Sequence, residues 1–405
     1  MLKWSYVYER RVRYNMKDYF GNNSPIRFTY PINGDCISPR EGEIFDGGIK
    51  IKATVEAPIG HEITVCGVPA EYENGFYSAI VELRAYKNTL CARDLTNGCE
   101  QKITVCHFSG ADKKYRLFAD DNILFLADIN EHKDEYKSIF DNPYLAIYKK
   151  AHDLYGAKVV INLFYQFDAE ARKYFSPDRP DFDLSMMTDK FRDEFRANGD
   201  WLKLSFHSKA EKPDKPYASA SAEEISRDCI QLNREVLRFA GPEVFSDCAT
   251  IHFAETTEEG TRALRSLGYR ALEGDFVLTS CMCGYHYPEE MVRHIMTRDF
   301  YYDTDIDIFF CRTDIVLNGS TLEKNVEKMR DIIASPTEGG YMDILIHEQY
   351  YYKDYKYHKP DFEARILEPC RLLWENGYVG EFISDVIRER HPVEFPYDKI
   401  NSIVI

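Results

Sequence analysis

The chain has 405 residues, a formal net charge of -16, 44% hydrophobic and 14% aromatic residues. That length accommodates about two or three domains with sizeable cores. The acidic balance excludes nucleic acid or an anionic membrane as the main partner, since like charges repel over a Debye length of about 8–10 Å, and leaves a neutral or cationic small molecule or glycan.

The opening segment, MLKWSYVYERRVRYN, has no continuous apolar region, and the chain has no apolar run of the roughly 18 residues a membrane span needs. Neither a secretion signal nor a membrane span is expected, and a cytoplasmic location follows. The 11 cysteines, an odd number without a Cys-x-x-Cys pair, read as reduced thiols. Cys281-Met282-Cys283 lacks a second Cys/His pair at ligand spacing and reads as structural. Nothing in the sequence specifies an oligomeric state.

From residue 26 to His107 the pattern has period two. Ile49, Ile51, Ala53 and Val55 alternate with Lys50, Lys52, Thr54 and Glu56, which turns one strand face to a core and the other to water. Asn74-Gly75 supplies the positive φ angles of a tight hairpin before the strand Phe76 to Leu83. Strands at Thr89 to Arg93 and Lys102 to His107 complete an expected N-terminal β-sandwich domain over residues 1–110. With Lys87 to Leu90 reading K-N-T-L, it resembles the immunoglobulin-like (Ig-like) modules appended to carbohydrate-active enzymes.

After Ser109-Gly110 apolar strands alternate with helices. Asn142-Pro143 opens a helix that Gly156 closes before the strand Lys158 to Tyr165. Further units run from Leu202 to His207, Thr250 to Ala254, Tyr269 to Leu272, Ile306 to Cys311, Asp343 to His347 and Gly380 to Ser384, each with a helical stretch beside it. With the opening strand at Arg116 to Ala119 these are about seven or eight βα repeats, whose natural closure is a parallel barrel over residues 111–405. The expected fold class is therefore multidomain α/β, a β-sandwich followed by a (β/α) barrel.

Catalytic groups of such barrels sit at the C-terminal strand ends. Asp120 and Asp121 end the first strand, His207 the third, and His347 with Glu348 the seventh; His252 lies in the fourth and Glu273 follows the fifth. Carboxylates and imidazoles converging on one rim suit a divalent metal with hydrolysis beside it. Tyr217, Glu273, Glu348 and Tyr350 are expected substrate contacts by rim position. The run Tyr350, Tyr351, Tyr352, Tyr355 and Tyr357 either walls a sugar site or packs as an ordinary loop.

At these residues the chain resembles the polysaccharide deacetylase (NodB-homology) family of carbohydrate esterases, in motif order from Tyr115 to Glu389. Asp120-Asp121 matches the family's Asp-Asp pair, and the resemblance makes the first a base and the second a metal ligand. His207-Ser208 opens the His-Ser/Thr-x-x-His ligand motif, with Glu211 in place of the second His. Leu345-Ile346-His347 matches the Leu-x-His motif, whose His is the general acid. The Arg-x-Pro and Asp-Trp motifs are absent; Ile251 to Glu255 and Arg270 to Asp275 stand in their places. The resemblance implies a distorted (β/α)7 barrel that removes N- or O-acyl groups from a carbohydrate with a divalent metal, most simply zinc. The expected ligands are Asp121, His207 and Glu211, with His252 or Asp214 as substitutes for Glu211; otherwise His252 is a substrate contact. Two alternatives are a glycoside hydrolase using two of Asp120, Glu273 and Glu348, and an inactive carbohydrate-binding barrel.

Overall fold

The computed structural model describes residues 17–175, 177–278 and 283–388. The opening segment through Met16, and Cys281 and Met282 of the Cys-Met-Cys run, lie outside the described residues. The chain is a mixed α/β, multidomain assembly of several sheets.

The first ten strands are β1 (Arg27–Tyr30), β2 (Cys36–Ile37), β3 (Glu43–Phe45), β4 (Gly48–Glu56), β5 (Ile63–Val65), β6 (Val68–Pro69), β7 (Glu71–Glu73), β8 (Phe76–Leu83), β9 (Lys87–Asp94) and β10 (Glu100–His107). They form two five-stranded sheets, β1-β4-β8-β7 with β3 on β4, and β2-β10-β9-β5-β6. Alternation in β4 buries Ile49, Ile51, Ala53 and Val55 against Val65, Leu90, Ala92 and Val105 of the other sheet, so the two inner faces share one apolar core. Asn74 and Gly75 have φ angles of 52° and 93°, the twist that joins β7 to β8 in a two-residue turn.

The remaining strands are β11 (Lys114–Asn122), β12 (Val159–Phe164), β13 (Gln166–Phe167), β14 (Phe182–Asp183), β15 (Leu202–Ser208), β16 (Cys248–Ala249), β17 (Ala271–Gly274), β18 (Phe300–Asp303), β19 (Ile308–Arg312), β20 (Ile315–Val316), β21 (Tyr341–His347) and β22 (Val379–Gly380). A parallel sheet runs β15-β12-β11-β21-β20, with β22 also on β11. Its central strands are buried on both faces, which explains their continuous apolar runs. A second sheet runs β16-β17-β19-β18, with β18 antiparallel. Asn142 caps the helix Pro143–Tyr155 by accepting from Leu145 N, and Gly156 ends it at φ 67°.

The closed barrel expected from the repeats is not formed by these ladders. The expected strand at Thr250 to Ala254 is not formed: the two-residue strand β16 ends at Ala249, and His252–Ala254 turns as a 3-10 helix with Phe253 and Ala254 at φ 62° and 48°. So short a strand leaves β15 joined toward the second sheet by the isolated bridge of Leu204 to Phe245. Between the sheets lies a fully buried ion cluster in which the Arg116 guanidinium bonds Glu273 at 2.7 Å and Asp343 at 2.8 Å.

A third apolar cluster joins the two halves. Cys36, Tyr86, Cys106 and Phe108 pack with Cys248, Phe300, Phe309, Cys311, Tyr341 and Ile387. Asp35 pairs with Tyr301 as an antiparallel bridge, and its carboxylate receives His294 Nε2 at 2.6 Å.

Candidate metal centre

β11 is a central strand up to Ala119, and there its register with β12 shifts between Ala119 and Asn122. Side chains on a regular strand alternate faces, so consecutive aspartates would point apart. Asp121 instead adopts φ 62°, and this irregularity re-aims it so that both carboxylates reach the buried end of the strand. Asp120 pairs laterally with His347 of β21.

Asp121 Oδ1 stands 3.0 Å from His207 Nε2 and 3.3 Å from His252 Nδ1, and those two nitrogens are 3.0 Å apart. His207 comes from the end of β15 and His252 from the 3-10 turn after β16. The outer ring nitrogens fix the tautomers. His207 Nδ1 bonds the Thr250 carbonyl, and His252 Nε2 bonds the Glu211 carbonyl at 3.2 Å. A carbonyl only accepts, so both outer nitrogens carry protons, which leaves the inner nitrogens, His207 Nε2 and His252 Nδ1, as the ones that can offer lone pairs to a cation. Three donor atoms, each within 4.8 Å of the others, therefore face a common point. Two imidazoles and one carboxylate are a donor set for Zn²⁺ or another borderline divalent ion, with positions left open.

Glu211, expected as a ligand, is not in this donor group. Its backbone carbonyl orients His252, while its side chain lines the adjoining pocket, and the third ligand position is taken by His252. Asp214 is likewise outside the group and pairs with Lys212 at 2.5 Å.

Asp120 is 3% exposed and receives Asn162 Nδ2 at 2.7 Å. Burial, opposed by His207 and reinforced by Asp121, pushes its carboxyl up to about 8. Asn162 Nδ2 also reaches Thr250 Oγ1, whose hydroxyl donates to Glu273 Oε2 at 3.0 Å. Thus a buried polar chain runs from Asp120 to Arg116. His347 donates Nδ1–H to Asn318 Oδ1 at 2.9 Å, leaving Nε2 directed at the centre, 3.9 Å from Asp121 Oδ2.

Three of the expected substrate contacts are not available to a ligand. Glu273 is fully buried on Arg116. Glu348 is fully buried and accepts the N–H groups of Ile123, Leu124 and Phe125 at 2.6, 2.9 and 2.6 Å, capping the helix Leu124–Glu131. Tyr217 is 1% exposed, with its hydroxyl between Lys209 N and Asp228. Tyr350 is half-buried beside His347 and Tyr355.

Sequence reasoning missed Gln349, which donates Nε2–H to Asp121 Oδ2 at 2.7 Å, and the Asn162–Thr250 pair. Polar residues inside otherwise apolar strands, such as Asn162 in Val159–Phe164, were the available signal. A pocket of about 110 Å³ opens from Asp121 and is walled by Phe164, Phe167, Tyr174, Phe175, Tyr355 and Tyr357, with Glu211, Lys212 and Gln349 among its polar groups. Its lining of aromatic rings with a few polar groups is of the kind that small-molecule sites use. Among the described residues no helix is long and apolar enough to cross a membrane.

No protein-family profile matches the chain, and no curated protein matches it. Among solved structures, a candidate alpha-galactosidase from Bacteroides fragilis aligns at TM-score 0.24 and 11% identity, over 90% of this chain and 81% of that one. A candidate alpha-galactosidase/melibiase from the same species aligns at TM-score 0.26 and 11% identity, over 85% and 79%. Scores of this size carry neither a fold nor an activity to this chain.

Proposed function

We propose that this chain is a metal-dependent hydrolase that removes an acyl group from a neutral carbohydrate. The observation that carries the reading is the convergence of Asp121, His207 and His252, whose ligand atoms all lie within 4.8 Å of one another while the outer ring nitrogens are held by backbone carbonyls. These three residues would hold the cation, which when bound supplies Lewis-acid polarisation and makes water a stronger acid. Asp120, held by Asn162 next to the ligand Asp121, is placed to take a proton from an attacking water. A positive charge nearby favours the ionised carboxyl that this role needs. His347, tied to Asn318 through Nδ1, keeps Nε2 toward the centre and, once protonated, can pass that proton to the leaving group. The aromatic wall of the pocket gives a sugar flat apolar faces to lie against. The resemblance of Asp120-Asp121, His207-Ser208 and Leu345-Ile346-His347 to the deacetylase motifs supports the same assignment.

Glycoside hydrolysis is the second reading, favoured by Asp121 and Glu211 lining one pocket, since that chemistry needs two carboxylates on one sugar. Incubation with acetylated amino-sugar oligomers separates the two. Acetate release supports deacylation, reducing-sugar release supports the glycosidase, and neither product overturns both. Under the first reading Asp120→Asn lowers kcat by roughly 10²–10⁴, the scale of a lost general base, while elemental analysis still finds the metal. Full activity in that variant would remove Asp120 from the mechanism.

A further inference from the structure

The two oxygens of Asp121 have different surroundings. Oδ1 faces His207 Nε2 and His252 Nδ1, whereas Oδ2 receives the Gln349 amide N–H at 2.7 Å. The amide's orientation is settled by this contact, because a carboxylate can only accept and the opposite flip would set oxygen against oxygen. Its Oε1 has no partner among the described residues, so no competing bond holds the side chain elsewhere. Gln349 follows Glu348, which grips the N–H groups of Ile123, Leu124 and Phe125 just after the left-handed Asp121. His347, the next residue back, pairs in register with Asp120. One tripeptide thus holds the backbone before Asp121, the backbone after it and its side chain.

We infer that Gln349 is a positioning residue for the metal centre: it occupies Asp121 Oδ2 so that Oδ1 is presented to the cation beside the two imidazoles. A free carboxylate rotates about its terminal torsion, and restraining that rotation pre-organises the ligand set. The inference rests on the metal reading above and goes beyond the three ligands.

The test is a zinc titration of the full-length, metal-stripped protein against a chromophoric chelator, comparing wild type, Gln349→Met, Gln349→Ala and His252→Ala. Loss of an orienting partner should weaken zinc by about 10–100-fold in both Gln349 variants, while loss of a ligand in His252→Ala should weaken it further. The d–d absorption of the cobalt-substituted Gln349→Met protein should also shift, a change that a purely structural role elsewhere would not produce. Wild-type zinc affinity and an unchanged cobalt spectrum in both variants, with His252→Ala defective, would overturn the inference and leave the metal centre standing. A wild type that binds no divalent ion overturns the metal centre, and this inference falls with it.

Discussion

Bare lone pairs from two imidazoles and a carboxylate repel one another when buried, and a cation among them relieves the repulsion. At residue scale this separates His252 from Glu211. His252→Ala should lose the metal, because it removes one of three inward donors, whereas Glu211→Gln should keep it, because the Glu211 group that matters to the centre is its backbone carbonyl. Elemental analysis of both variants checks this, and a Glu211→Gln protein without metal would restore Glu211 as a ligand. Spacing favoured Glu211 because His207 and Glu211 lie four positions apart in the sequence. His252 reaches the site only through the left-handed turn at Phe253, which leaves no periodic signal.

The helix Leu124–Glu131 has no capping side chain at Ile123; its cap is supplied from across the sheet by Glu348. Burial pushes the Glu348 carboxyl up from 4.5 to about 7. The sign follows from proton counts. Between about pH 4.5 and 7 the folded protein keeps this proton while the unfolded chain has lost it, so the Glu348 contribution weakens as pH rises through that window and is constant above it. Glu348→Gln should therefore flatten the fall of Tm across that window, measured by thermal denaturation; an unchanged slope would show that Glu348 does not titrate there. Glu348→Ala should cost about 2–4 kcal/mol by leaving buried N–H groups without acceptors, read as a lowered midpoint in urea.

At the scale of the whole molecule, the sequence divides near Ser109-Gly110, and we retain 1–110 and 111–405 as the proposed domains. The first sheet pair has its own core, yet the third apolar cluster draws Tyr86 and Phe108 from the first part and Phe300, Phe309 and Tyr341 from the second. Tyr86 also donates its hydroxyl to the Ile387 carbonyl, and Lys87 reaches Asp307. An interface of buried aromatics couples unfolding, so calorimetry of the full chain should show one cooperative transition, and a chain beginning at Ala111 should aggregate with Phe300 and Tyr341 uncovered. Two separable transitions would contradict this coupling.

Sequence alone determined many of the elements and several of the polar strand ends. Period two in Ile49 to Val55, the Asn74-Gly75 turn and the Asn142-Pro143 cap are local preferences, and they appear in the structure where the local pattern puts them. Asp120, Asp121, His207 and His347 stood out because titratable groups after apolar runs must find partners. What only the tertiary structure decided was which groups share those partners. Glu273 and Glu348 read as open rim carboxylates, but Arg116 and the helix N–H groups consume them, and Arg116 itself looked like an ordinary residue of its strand. Sheet closure was likewise not a local property: β16 is two residues long, and where its continuation was expected the chain turns left-handed at Phe253 and Ala254. Local sequence fixes torsions and periodicity over a few residues, whereas hydrogen-bond partners more than a hundred positions away are set by packing.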